Sequence, residues 1–272
     1  MVSDAEYPFN LTLCLLERLP VNFSIVDGLK VAAFPKGKGT CPFCGNVVVA
    51  KCGNQNAWHW AHSIKQSCDP WWENETQWHR DWKGHWNVAF QEVVHFDGLT
   101  GEKHIADVKN QNGFVLEFQN SPMSDEELSS RERFYSDMAW VVNATKFYAN
   151  IEFGAKLPNP DLPESLDMCI RPVQSSPQSF IFHRISENEP DATMVEVYGN
   201  HSIQNFIDDT HVGHYLFAWK KPRAVWLRST RPVFFDFGQE VIWKLQRFND
   251  RSAYCFEAVS KAQFIGRYGG TA

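Results

Sequence analysis

Two groups of side chains in this 272-residue chain have the types and spacings that do chemistry. The first is a run of thiols and imidazoles, Cys41, Cys44, Cys52, His59, His62 and Cys68, spread over 28 residues. Two thiols separated by two residues bind one ion from a tight turn. Val47-Val48-Val49 then reads as a strand, Cys52 to Asn56 as a turn and Trp58 to His62 as a returning strand, which brings His59, His62 or Cys68 back to the first two thiols. Zinc takes four ligands, and five are on offer: Cys41, Cys44, His59, His62 and Cys68. A segment this short has little core of its own, so the expected zinc is structural. A catalytic zinc keeps one position open for water, whereas this cluster has ligands to spare.

The second group is carboxylate. His104 to Lys109 and Phe114 to Gln119 are apolar strands on either side of an Asn/Gly turn, which predicts a hairpin. Asp107 lies in the first strand and Glu117 and Gln119 in the second, where a buried strand favours apolar residues. Carboxylates that share a face repel unless a cation lies between them, and Mg²⁺ or Mn²⁺ suits an all-oxygen set. Parity tests this site. Opposed residues of an antiparallel pair share a face, and their numbers have a constant total. A two-residue Asn112-Gly113 loop pairs Gln111 with Phe114 and puts the carboxylates on opposite faces. A three-residue loop, Gln111 to Gly113, pairs Asn110 with Phe114 and makes Asp107 and Glu117 cofacial. The metal site therefore predicts an odd loop or a bulge, with Gly113 in the left-handed region.

The elements around the hairpin carry further polar groups. Glu75, His79 and Lys83 fall at i, i+4 and i+8, a polar stripe on an expected helix beside a core stripe of Trp78, Trp82 and Trp86. Ser124 to Glu127 form a capping box that opens a second helix, on which Arg131 and Tyr135 share a face. An apolar strand, Ala139 to Asn143, follows. The order is helix, two strands, helix, strand.

This order and these residues resemble the PD-(D/E)XK nuclease superfamily and, more narrowly, the competence protein CoiA-like family. The strings that carry the resemblance are CPFC with HWAH and CD, ETQWHRDWK, HIADVK, and LEFQNSPMSDEELSSRERFY followed by WVVN, over residues 41–145. RPVFFDFG at 231–238 resembles a later family segment. The resemblance implies an α/β (α+β) fold: a nuclease core of a mixed sheet flanked by helices, with a small N-terminal zinc module. It places the acidic metal ligands on Asp107 and Glu117 and the first-helix carboxylate on Glu75. The customary lysine of the second half-motif is Gln119 here, an E-x-Q variant of a kind found within the family, and Lys83 or Lys109 is a candidate for the missing charge.

The expected reaction is hydrolysis of a DNA phosphodiester bond, in transformation, recombination or defence. A divalent ion at Asp107, Glu117 and Glu75 polarises the phosphate and lowers the pKa of a water. Gln119 positions that water, and Arg131 contacts a phosphate or stabilises developing charge. Tyr135 either packs or contacts phosphate. His79 is either an active-site group or a partner of Glu75. Lys220, Lys221, Arg223, Arg228 and Arg231, five cations in twelve residues without an acid, are candidates for tracking the DNA backbone. The rival reading is a nuclease fold with weak or no activity that binds DNA or scaffolds protein partners in DNA processing, its zinc module doing the recognition.

Composition bounds these readings. At 43% hydrophobic and 21% charged residues the chain can bury a core, and no apolar run nears the ~20 residues needed to cross a bilayer. The longest early run, Leu13 to Leu16, is too short for a signal-peptide core, which with the clustered thiols predicts a cytoplasmic protein without a membrane partner. The net charge of −6 argues against coating nucleic acid through bulk charge. Residues 151–200 alone carry −5 of it, eight acids against three bases. The expected division is 1–70 for N-terminal strands and zinc module and 71–272 for the nuclease-like domain. Residues 147–222 are expected to be an insertion or extension that starts with a proline-rich loop.

Overall fold

The structure, a computed structural model, describes residues 20–55, 57–63, 68–69, 71, 75–173, 176–185, 195–196 and 201–272. The run Leu13 to Leu16 and the acids at 187–191 lie outside the described residues. Residues 1–72 and 73–272 form two compact units.

The first unit is a six-stranded sheet of β1 (Pro20–Val21), β2 (Phe23–Val26), β3 (Leu29–Ala32), β4 (Lys38–Thr40), β5 (Val47–Lys51) and β6 (His59–His62). The order is β1-β6-β5-β4-β2-β3, antiparallel throughout. Asp27-Gly28, with φ of +50° and +79°, is the two-residue turn that joins β2 to β3, the left-handed pair such hairpins favour. Val48, Trp60 and His62 share one face and are buried. Successive strand residues alternate faces, so Lys38, Val49, Lys51 and His59 take the other.

The second unit opens with α1 (Gln77–Lys83), β7 (Gln91–Phe96), β8 (Lys103–Lys109), β9 (Val115–Gln119), α2 (Asp125–Tyr135) and β10 (Met138–Asn143). It continues with β11 (Ile151–Leu157), α3 (Pro163–Leu166), β12 (Met168–Val173), β13 (Ser176–Arg184), β14 (Val195–Glu196) and α4 (His201–Thr210). It closes with β15 (His214–Trp219), β16 (Val233–Asp236), β17 (Val241–Arg247), β18 (Tyr254–Ser260) and α5 (Lys261–Arg267). Nine strands form one mixed sheet in the order β11-β15-β18-β17-β16-β10-β9-β8-β7, parallel only where β10 meets β9 and β16. The fold is thus mixed α+β. Among the described residues no helix is long and apolar enough to cross a membrane.

Each sheet face takes its own helices. Val108, Leu116, Phe118, Val141 and Phe234 form an apolar face against Trp82 and Trp86 of the α1 region and Phe264 and Ile265 of α5. The tryptophan stripe is therefore core. Helix α2 covers the other face, where Glu132 accepts from Trp140 Nε1 at 3.0 Å. Ser124 caps α2 as its sequence predicts, its Oγ accepting from the Glu127 N–H at 3.1 Å.

The stretch after residue 147 corrects the expected loop. Pro158 and Pro160 fall between β11 and the short α3, Pro163 opens α3, Pro172 stands beside a register shift in β12 and Pro177 lies in β13. Residues 147–222 supply β11 and β15 to the main sheet, and β12 to β14 form a separate three-stranded sheet. A second core, with Leu157, Ile170, Phe180, Ile207 and Leu216, joins these elements.

Candidate active site and metal centre

The Cys/His cluster is built by a knuckle and a strand. Gly45, at φ +73°, lets the turn close, with its N–H bonded to the Cys41 carbonyl at 2.9 Å and the Cys41 N–H to the Asn46 carbonyl at 2.8 Å. Cys41 and Cys44 then face His62 of β6 and Cys68, and the four ligand atoms lie within 4.8 Å of one another. Cys41 Sγ is 3.5 Å from Cys68 Sγ, and Cys44 Sγ is 3.3 Å from His62 Nε2. A tetrahedral site with Zn–S bonds of about 2.3 Å has S···S edges of about 3.8 Å. Three thiols and one imidazole gathered within 4.8 Å are a donor set that could hold zinc. Cys68 and the N–H groups of Cys44 and Phe43 hold the Cys41 thiol down at about 4 despite its burial. Cys41 and burial push Cys68 up, and a cation bound among these thiols would displace their protons.

His59 is the candidate ligand left out. It precedes His62 by three positions on one strand, so alternation turns it to the opposite face, where its Nδ1 bonds the Ala57 carbonyl at 2.8 Å.

The carboxylates lie in one row across the sheet. Asn110 N–H bonds the Phe114 carbonyl at 3.0 Å, Gly113 stands at φ +84°, and Val108 pairs with Leu116. The loop has the three residues Gln111 to Gly113, so Asp107 opposes Glu117. On the other side, the pairs Gln91 with Val108 and Val93 with Ala106 set Glu92 opposite Asp107. Glu117 in turn lies beside Trp140. Glu92, Asp107 and Glu117 thus occupy adjacent strands about 4.8 Å apart, where like charges disfavour the sheet. The backbone yields along this row. Asp107 Oδ2 accepts from the Phe118 N–H at 2.9 Å, Glu117 Oε1 accepts from the Asp107 N–H at 3.3 Å, and Glu92 is held at φ +44°.

Two buried cations bind the row. Lys83, its side chain 5% exposed, pairs with Glu75, with Glu92 at 2.9 Å and with Asp107 at 3.7 Å. Burial pulls its pKa down, but Glu92, Asp107 and Glu75 outweigh burial and raise it above the ordinary lysine value. Arg131 of α2 donates to Glu117 Oε2 at 3.1 Å and to Glu127 Oε1 at 2.6 Å. Its pKa is likewise raised, with burial outweighed by Glu117 and Glu127. Five carboxylates against two cations leave a surplus of negative charge.

The remaining candidates are placed as follows. Glu75 stands just before the helix rather than on it, since α1 starts at Gln77 behind the N-cap Thr76. His79 has both ring nitrogens engaged: Nδ1 accepts from the Thr76 N–H at 3.1 Å, so Nε2 carries the proton given to the Phe118 carbonyl at 2.9 Å. It fixes α1 to β9. Gln119 is buried and its amide donates to Ser121 Oγ at 3.0 Å and to the Ser121 carbonyl at 3.2 Å. Tyr135 is buried against the His95 and Phe134 rings. Lys109 Nζ bonds His95 Nδ1 at 3.0 Å, so of the two candidate lysines Lys83 is the one at the carboxylates. In the basic segment, Lys220 and Lys221 are exposed, Arg223 stacks over Phe147 at 4.4 Å and Arg228 grips Asp125 at 2.6–2.9 Å. Trp226, among these cations, packs on Trp140, which sets residues 224–228 on the Glu117 face of the sheet. Arg231 is half-buried.

Two residues outside the sequence-based set hold the site together. Glu92 is one. The other is Asp236, buried at the end of β16, whose Oδ2 accepts from Trp78 Nε1 and Trp82 Nε1, both at 2.8 Å. Its Oδ1 takes the Gly238 N–H at 2.8 Å and Lys261 Nζ at 3.0 Å. Burial raises its pKa, but these four donors outweigh that and lower it.

The chain is of a definite class: a Cys/His metal module followed in sequence by a mixed-sheet α+β domain with a carboxylate row. Residues 33–70 match the family model described as competence protein CoiA, N-terminal domain. That domain contains the whole Cys/His cluster, and the match supports a likeness to the competence protein CoiA-like family over this segment. No curated protein and no solved structure matches the chain.

Proposed function

We propose that the chain is a divalent-metal-dependent nuclease of the PD-(D/E)XK type that hydrolyses phosphodiester bonds of DNA in the cytoplasm. The observation that carries this reading is the row Glu92-Asp107-Glu117 with Lys83 and Arg131 against it. A fold has no structural need for three adjacent carboxylates in its sheet, and a backbone strained at Glu92 is of the sort that clusters at functional sites. The donor set is hard, anionic oxygen with excess negative charge, which suits Mg²⁺ or Mn²⁺ on Asp107 and Glu117. Among the described residues, only the Cys/His cluster already gathers three or more ligand atoms at metal distance.

Asp107 and Glu117 would hold such an ion, which would supply Lewis-acid polarisation of the phosphate and a water of lowered pKa. Lys83 takes the role of the lysine that Gln119 replaces, a fixed ammonium beside Asp107. Arg131 holds Glu117 in place and offers its guanidinium to phosphate. His79 and Asp236 position α1, and with it Lys83, while Lys220 and Lys221 meet the DNA backbone outside the site.

One observation favours the rival, a nuclease fold that binds DNA without cutting it: the Gln119 amide is committed to Ser121 rather than to the carboxylates. Cleavage of labelled single- and double-stranded DNA with Mg²⁺ or Mn²⁺ decides between them. Hydrolysis that falls at least about 100-fold in Glu117→Ala, some 2.7 kcal/mol of barrier, supports the nuclease. Binding without cleavage by the unaltered protein supports the rival, and cleavage that needs no metal overturns both readings.

A further inference from the structure

We infer that the α2 side of the main sheet carries, beyond the carboxylates, a stacking surface for the unpaired bases of a single DNA strand. The inference rests on the nuclease reading and names the form of DNA that the site takes. Register places the surface. Glu117 pairs with Trp140, Trp140 with Val233, Val233 with Leu245 and Leu245 with Phe256, so these five share one row and one face. The neighbouring row of that face runs Gln119, Val142, Phe235, Trp243. Trp243 thus stands three strand spacings, about 14 Å, from Gln119. Tyr215 pairs with Phe256, and Phe217, two positions on, pairs with Phe153, which extends the face over β15 and β11.

The far part of this face is paved with rings. Phe153 lies 4.3 Å from Trp243, Tyr215 5.7 Å from Trp243 and Phe217 4.2 Å from Phe256, centroid to centroid. Phe153, Tyr215, Phe217, Trp219 and Trp243 are half-buried, and Tyr148, against Phe237, is 45% exposed. The second core, with β12, β13 and α4, packs on the opposite face through Leu216 and Cys255 and leaves these rings outside it. Neither Trp219 Nε1 nor Trp243 Nε1 has an acceptor among the described residues, so a hydrogen bond within the fold does not explain these indoles. Cations stand at the edge. Lys220 and Lys221, both exposed, follow Trp219, and Arg223 lies 4.4 Å over Phe147, which itself stacks on Trp219 at 5.9 Å. Of the nearby acids, Glu152 alternates to the opposite face and Glu240 is in the turn before β17. Rings beside a few cations hold single strands because every base has a π-face, and stacking itself needs no positive charge. That suits a chain of net charge −6. Continuity with the rows of Glu117 and Gln119 favours a nucleic-acid strand over a protein partner. A duplex keeps its bases stacked on one another, out of reach of the rings.

The test uses the intact chain with its zinc and no added divalent ion, so binding is read without cleavage. Fluorescence anisotropy gives the affinity for a labelled oligothymidine strand, for an abasic strand of the same length and for the duplex. The thymidine strand is expected to bind at least about 5-fold tighter than the abasic one, the low end for one stacked base. Trp243→Leu and Tyr148→Leu keep apolar bulk and remove the ring. Each is expected to weaken binding of the thymidine strand by about 5- to 150-fold and to leave the abasic strand unchanged, while Trp243→Phe and Tyr148→Phe keep the preference for bases. If Trp243→Leu lowers the melting temperature, Tyr148→Leu, at an exposed position, decides. Equal affinity for thymidine and abasic strands overturns the proposal, as does duplex bound as tightly as the single strand, or no binding at all. Base-dependent binding by a protein that cuts no DNA leaves the stacking surface standing and sinks the nuclease reading. Metal-dependent cleavage without base-dependent binding does the reverse.

Discussion

Lys83→Met removes the ammonium and keeps most of the stem. In the native site that ammonium lies 2.9 Å from Glu92 and 3.7 Å from Asp107 and also pairs with Glu75, with the side chain 5% exposed. At an effective dielectric of about 20, the attraction is about 6 kcal/mol at the first distance and about 4.5 kcal/mol at the second. Desolvation of the buried ions offsets much of this. Removing one partner is different, because the remaining carboxylates stay buried without their cation, at a cost of about 3–5 kcal/mol. For a unit of about 200 residues, each kcal/mol moves Tm by about 2–4 °C, so the expected fall is about 6–20 °C.

Thermal melts in zinc-replete, magnesium-free buffer measure it. The pKa of Lys83 is raised in the fold, so its contribution is complete below the ordinary lysine value of about 10.4 and is lost as pH rises through the higher folded value. The gap between the unaltered protein and the variant should therefore stay constant from about pH 6 to 9. Mn²⁺ should stabilise each protein that binds it, by about 2.7 kcal/mol at a hundredfold excess over its dissociation constant. A shift below about 2 °C would show that the carboxylate row does not depend on Lys83, and the charge balance drawn for the site would be wrong.

The zinc module should contain one zinc per chain by elemental analysis. Cys41→Ser and Cys44→Ser should lose it together with soluble protein, while His59→Ala keeps both; zinc loss in His59→Ala would overturn the ligand set. Asp236→Asn replaces the charged acceptor of two indoles and Lys261 and should cost about 1.5–3 kcal/mol in urea unfolding at pH 7. Because the pKa of Asp236 is lowered by folding, that difference is present above about pH 4 and should shrink as pH falls through the folded value.

The parts of this molecule that were legible in its sequence are those governed by parity or by local spacing. Cofacial carboxylates force an odd loop, and the hairpin has one. Cys41 and Cys44 form the expected knuckle, and Ser124 caps the expected helix. His59 could have been set aside by the same arithmetic, since residues three apart on one strand point to opposite faces. Glu92 and Asp236 lacked any such local signal. The register of β7 on β8 is decided by a turn of several residues, and a single acid in Gln91 to Phe96 looks like an ordinary solvent-facing residue. Asp236 is explained only by Trp78 and Trp82, more than 150 positions earlier, which meet it through tertiary packing. The proline-rich stretch reads as loop because proline lacks an N–H, yet Pro158 and Pro160 sit between elements, Pro163 opens α3 and Pro172 stands beside a break in pairing, positions where that donor is not missed.

The same long-range packing makes the carboxylate row possible. Each acid would be unfavourable beside the next, so the sheet tolerates the row only because helices on its two faces bring cations to it. Helix α1 brings Lys83 to Glu92 and Asp107, and α2 brings Arg131 to Glu117. Both helices are anchored by buried acids away from the row: α1 through its tryptophans on Asp236, and α2 through Glu132, which accepts from Trp140 and from Ser229 and Thr230 of the basic segment. The charge on each anchor is held by the donors around it: two indoles and Lys261 at Asp236, an indole and two hydroxyls at Glu132. The surplus is left at Asp107 and Glu117, where a divalent cation would complete the balance.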